Sequence, residues 1–260
     1  NGTLITQTDI RGSNALHLAA ANGHTETVIE LNELNKTLIT QTGEDGGNAL
    51  HLAAQNGHKE TVVELNTLNK VLITQTDDNG RNALHIAAIH GQTETVVELN
   101  KLNKALITQT NNNGDNALII AALNGEIETI VELNKLNNTL ITQNDNTGCN
   151  ALHLAAVAGQ TETIIELNKL NNALITQTNN IGRNALHIAA CSGHTETVVQ
   201  LNKLNNNLIT QTDKNGCNAL HQVAYNGHTE TVVELNKLNK DLITQTDINR
   251  CNALHMAAAQ

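Results

Sequence analysis

The stretch Asp77 to Thr110, DDNGRNALHIAAIHGQTETVVELNKLNKALITQT, contains a complete structural unit. Asp77-Asp78-Asn79-Gly80 has the composition of a tight turn. Asn82 can cap a helix, its side-chain oxygen accepting a free amide of the first turn. Ala83 to Ala88 then predicts a short helix of small residues, and Gly91 ends it as a left-handed residue. Thr93-Glu94 starts a second helix with an acid near the positive end of the macrodipole. Val96, Val97, Leu99 and Leu102 give that helix an apolar face, which ends at Asn103 or Lys104. The β-branched run Leu106 to Thr110 predicts an extended arm leading to the next turn.

The same unit fills the chain. Asn-Ala-Leu-His opens at Asn14, Asn48, Asn82, Asn150, Asn184, Asn218 and Asn252, always 34 residues or a multiple apart. Asn116 opens the segment once more, with Ile119 in the histidine place. The reading is a single array over 1–260. Full repeats run 9–42, 43–76, 77–110, 111–144, 145–178, 179–212 and 213–246, with partial units at 1–8 and 247–260. A fixed period of this size predicts an all-α solenoid in which each repeat buries its core against its neighbours. The composition suits so thin a core: 41 Asn, one Tyr, and no Pro, Phe or Trp.

Several function classes are disfavoured. The net charge is -10, with no Lys/Arg cluster and one aromatic side chain, which argues against a phosphate backbone or stacked bases as ligand. The longest apolar run, Ala117 to Leu123, is far short of the roughly 20 residues that span a bilayer. Cys149, Cys191, Cys217 and Cys251 form no CxxC pair, which favours a reducing, cytoplasmic setting. The chain opens at Asn1 rather than Met, so the native N-terminus is expected to lie elsewhere; the uncapped ends imply either a fragment of a longer array or ends that stack head to tail. No nucleophile, base and orienting group recur together, so neither catalysis nor a cofactor is expected. The histidine column of His17, His51, His85, His153, His187, His221 and His255 has the wrong spacing for shared zinc. Stacked helices lie about 8–10 Å apart, whereas each ligand nitrogen must sit about 2 Å from the metal. Its expected role is structural, each ring bonded to a turn of its own or the next repeat.

Asp-x-x-Gly at the turn, Asn-Ala-Leu-His-[Leu/Ile]-Ala-Ala, and then Gly-His-x-Glu (His24, His58, His194, His228) together resemble the ankyrin repeat. The departures are regular. Asn-Ala stands for the family's Thr-Pro, the period is 34 rather than 33, and Arg250 replaces the last turn glycine. Tetratricopeptide repeats share the period but use aromatic and proline signatures that this chain nearly lacks, and leucine-rich repeats are shorter. The resemblance implies helix pairs joined by β-hairpin-type arms. It also implies a protein-interaction scaffold whose turn tips and first-helix ends line a concave, partner-binding face.

The columns that vary between repeats fall at those places. The candidate partner-binding residues are Arg11, Arg81, Asp115, Ile181, Arg183 and Lys214 at the turns. At the first-helix ends they are Ile89, His90, Leu123, Val157, Cys191 and Tyr225. The apolar members either offer a contact strip or fill space against the next repeat, and the arginines either pair with a partner or form a solvated rim. The partner expected is a protein. The alternative is self-association through uncapped terminal repeats, giving head-to-tail filaments; stacked Asn columns could assist such an assembly.

Overall fold

A computed structural model describes residues 6–259. Residues 1–5 of the first partial unit lie outside the described residues. Among the described residues there are fifteen α-helices and no strands. The first helices of successive repeats are α1 (Ala15–Ala21), α3 (Ala49–Gln55), α5 (Ala83–Ile89), α7 (Ala117–Asn124), α9 (Ala151–Val157), α11 (Ala185–Cys191), α13 (Ala219–Tyr225) and α15 (Ala253–Ala258). The second helices are α2 (Thr25–Leu34), α4 (Lys59–Leu68), α6 (Thr93–Leu102), α8 (Ile127–Leu136), α10 (Thr161–Leu170), α12 (Thr195–Leu204) and α14 (Thr229–Leu238).

The chain forms two compact units: Asn1–Ala121 with Glu126–Leu140, and Ala122–Gly125 with Ile141–Gln260. In the first, α1, α3 and α5 pack in sequence, as do α2, α4, α6 and α8. In the second, α9, α11, α13 and α15 form one row and α10, α12 and α14 the other. Each is an all-α repeat stack. One leucine of each of α1, α3, α5, α9 and α11 (Leu16, Leu50, Leu84, Leu152, Leu186) and one β-branched residue of each of α2, α4, α6, α10 and α12 (Val28, Val62, Val96, Ile164, Val198) are fully buried. Val97 and Leu102 are only half-buried, and the face they leave is completed by Thr95. In other repeats the threonine of this column is paired across repeats through its hydroxyl: Thr25 Oγ1 meets Thr61 Oγ1 at 2.7 Å, and Thr161 Oγ1 meets Thr197 Oγ1 at 2.8 Å.

The arm differs from the extended reading. Lys104–Thr108 is a 3₁₀ helix, followed by Gln109 extended at φ -74° and ψ 155°. Asn103 is the cause: its side chain accepts the Ala105 amide at 3.1 Å, which starts a tight turn that β-propensity alone does not anticipate. The turns themselves touch tip to tip through one backbone bond each. Asp78 N–H donates to Asp45 at 3.0 Å, and Lys214 N–H donates to Ile181 at 3.0 Å.

The turn glycines sit at positive φ, and Arg250 at φ 64° is the non-glycine exception among the described residues. A side chain in that region costs about 1 kcal/mol. Arg250→Gly is therefore expected to raise stability by about 1 kcal/mol in urea denaturation. A variant no more stable than the parent would show that the strain is relieved elsewhere.

Candidate functional site

Where a turn opens with Asp or Asn, that residue holds it. Asp77 Oδ1 accepts the amides of Asn79 (3.0 Å) and Arg81 (2.8 Å), and Asn179 Oδ1 accepts those of Ile181 (3.2 Å) and Arg183 (3.0 Å). The next layer inward is the cap. Asn82 Oδ1 accepts His85 N–H at 3.0 Å, while its Nδ2 donates to the Leu106 carbonyl (3.3 Å) and to Gln109 Oε1 (2.7 Å). The invariant glutamine of each Leu-Ile-Thr-Gln segment is thus the second anchor of the cap.

The histidine column closes the same network. Asn82 N–H donates to His85 Nδ1 at 3.2 Å, and His85 Nε2 lies 3.1 Å from the Gln109 carbonyl. An amide can only donate and a carbonyl can only accept, so the ring is neutral with its proton on Nε2. His51 reaches the Arg81 carbonyl of the next turn at 3.1 Å, and His221 reaches that of Cys251 at 3.1 Å. Burial pushes His85, His153 and His187 down to about 4. A second contact links repeats at histidines that follow the glycine after a first helix. His194 Nε2 meets the Val157 carbonyl at 2.9 Å, and His228 Nε2 meets that of Cys191 at 3.1 Å.

This framework positions the variable columns. In the first compact unit, a groove of about 230 Å³ brings Arg81, Ile89 and His90 together with Asp45, Leu52 and Ile86. A larger groove of about 540 Å³ lies beside α1 and α3 and includes Arg11. Arg11 and His90 are exposed; Arg81 and Ile89 are half-buried. The Arg81 guanidinium contacts Asp77 of its own turn at 2.6 Å. Asp115 is buried, and its Oδ2 accepts Asn111 Nδ2 at 3.0 Å, so it braces its turn.

In the second compact unit, Val157 and Tyr225 are 42% and 51% exposed at the ends of their helices, and Leu123 and Cys191 are half-buried. Asn226 Nδ2 approaches the Cys191 sulfur at 3.4 Å. Ile181 and Lys214 stand exposed on the turn tips, with Lys214 Nζ donating to the Asn180 carbonyl at 2.7 Å. Arg183 Nε reaches Asp213 at 3.4 Å. The four cysteines are unpaired. Burial and the Asp213 and Asp247 carboxylates push Cys217 up to about 11.

The groove floors include residues that the column comparison passes over. Leu18 and Leu52 lie three residues before Ala21 and Gln55, on the same helix face, and Leu18 is half-exposed. Their i,i+3 spacing was the available signal, hidden because a leucine in Leu-His-Leu-Ala-Ala reads as core. Among the described residues, no three His, Cys, Asp or Glu side chains gather as a metal site, and no helix is long and apolar enough to cross a membrane.

The family model described as ankyrin repeats (3 copies) matches residues 1–69, 61–140 and 129–207. A search of curated proteins finds none that matches the chain.

Proposed function

The chain belongs to the ankyrin-repeat family, and from that premise we propose that it is a scaffold that binds a partner protein on the concave face formed by turn tips and first-helix ends. Ankyrin repeats are generally protein–protein interaction modules, and such proteins are typically non-enzymatic. The observation that carries the finer reading is the exposure of Val157 and Tyr225, large apolar side chains at the ends of first helices whose inner faces are packed. Apolar side chains on an exposed, preformed surface are what a partner buries, and tyrosine is a frequent anchor. A photo-crosslinking residue at Tyr225 should capture the partner. Its affinity for Tyr225→Ala combined with Leu123→Asp should then fall at least tenfold while helical circular dichroism holds. Equal affinity for the parent and this variant removes the assignment to this face.

Self-association is a second reading, favoured by one observation. Ile243, Ile248 and Leu254 are exposed, and Ile243 and Leu254 line an apolar hollow of about 250 Å³ beside α15. Light scattering that returns a monomer across a hundredfold concentration range removes it.

A further inference from the structure

The larger groove of the first compact unit owes its size to missing side chains. After the turn glycine the first repeat has Ser13 and the second Gly47, where the third has Arg81. The second repeat also begins its turn with Gly43 instead of an acid or amide, and Ala21 stands where the next repeats have Gln55 and Ile89. The result is about 540 Å³ of open groove beside α1 and α3, against about 230 Å³ one repeat further on. Leu18, Ala21 and Leu52 make an apolar floor.

The rim is acidic. Asp9, Glu44 and Asp45 line it, against Arg11 alone. One Asp45 oxygen accepts the Gly47 amide at 3.1 Å; among the described residues no cation pairs with Asp45 or Glu44. The third repeat shows what the chain does when that place carries a cation: Arg81 lies at 2.6 Å from Asp77. The wider charge distribution agrees. Residues 1–140 contain 16 of the 25 acidic and 8 of the 15 basic residues, a net -8 of the chain's -10.

We infer that this groove takes an extended segment of a partner protein. The segment places an arginine or lysine against Asp45 and Glu44 and a leucine-sized side chain on Leu18 and Leu52. The inference rests on the scaffold reading and adds the chemistry of the partner. The partner's guanidinium takes the space that the Arg81 side chain fills one repeat further on, and the field of the acidic unit steers it in.

The test follows amide resonances of the full chain during titration with N-acetylated Leu-Arg-Leu-Arg-Leu amide. The same peptide with citrulline, which keeps the shape without the charge, and the same peptide with glutamate are the other arms. The arginine peptide is expected to shift the Gly43 and Gly47 amides saturably and to bind at least tenfold more tightly than its citrulline twin. Asp45→Asn keeps the oxygen that caps Gly47, as Asn79 stands in the same column, and is expected to weaken the arginine peptide at least fivefold. Gly47→Arg should abolish binding. Its new Cβ meets only the Asp45 side chain, at 3.0 Å, and its side chain would stand in the groove as Arg81 does one repeat further on.

Equal affinities for arginine and citrulline, no saturable shift, or an Asp45→Asn variant that binds as well as the parent would overturn the inference. If the glutamate peptide shifts the same amides at least as tightly as the arginine peptide, the groove remains a docking surface and only the charge of its partner is wrong. The scaffold reading is judged separately, by partner capture at Tyr225 in the other compact unit.

Discussion

Acidification from pH 7 to about pH 4 is expected to remove roughly 3 kcal/mol of stability for each of His85, His153 and His187. An imidazole in the unfolded chain titrates near 6.5, whereas burial holds these three at about 4 in the fold. Between those values the unfolded chain binds protons that the folded chain excludes. Their contribution is therefore full above about pH 6.5, falls as the pH drops, and is lost on passing through about pH 4. The structural cause is visible at His85. A proton added to Nδ1 would face the Asn82 amide, and a bond that now caps α5 would become a repulsion. Asp77, Asp145 and Asp213 near these rings oppose the shift, but less strongly than desolvation imposes it.

Three such losses together rival the whole stability of an ordinary domain, commonly about 5–15 kcal/mol. Urea denaturation at a series of pH values measures the effect. The fourth repeat already carries Ile119 in this column, fully packed at 1% exposure and still capped by Asn116. His85→Ile with His153→Ile should accordingly flatten the acid slope by about two thirds of the three-histidine effect. An unchanged slope would assign the acid sensitivity to the carboxylates.

Asn82→Ala is expected to cost roughly 3 kcal/mol: about 1 kcal/mol for the lost helix cap and the rest for buried acceptors left unpaired. The side chain is fully buried and links three places, the His85 amide, the Leu106 carbonyl and Gln109 Oε1. The last two lie in the arm that leads to the next turn, so the loss should spread beyond α5. Asn82→Thr keeps a capping oxygen without the amide donors and should fall between parent and alanine. A double-mutant cycle with Gln109→Ala isolates the long-range part, expected as a coupling of about 1 kcal/mol. Additive losses would mean that the glutamine contributes only locally.

Much of this molecule is legible in its order of residues. Asn82 and Gly91 mark a helix start and stop through bonds made within a few residues, so cap and period follow from the chain alone. At Lys104–Thr108 the Asn103 side chain, rather than β-propensity, selects the conformation. The candidate face was legible only as a set of variable columns. Comparison of repeats could not say that Asp115 braces its turn or that Arg81 is held by Asp77, since each depends on where a side chain points.

By itself, then, the sequence determined the 34-residue period, the helix pair, the caps and the family, because all of these rest on interactions between near neighbours repeated many times. The tertiary structure decided the rest. It paired Asn82 with Gln109, 27 residues away, and set His51 against the next turn. It also turned the small residues Ser13, Ala21 and Gly47 into a groove. Those outcomes depend on which surfaces face each other after packing, and a missing side chain becomes a cavity only when its neighbours are fixed around it.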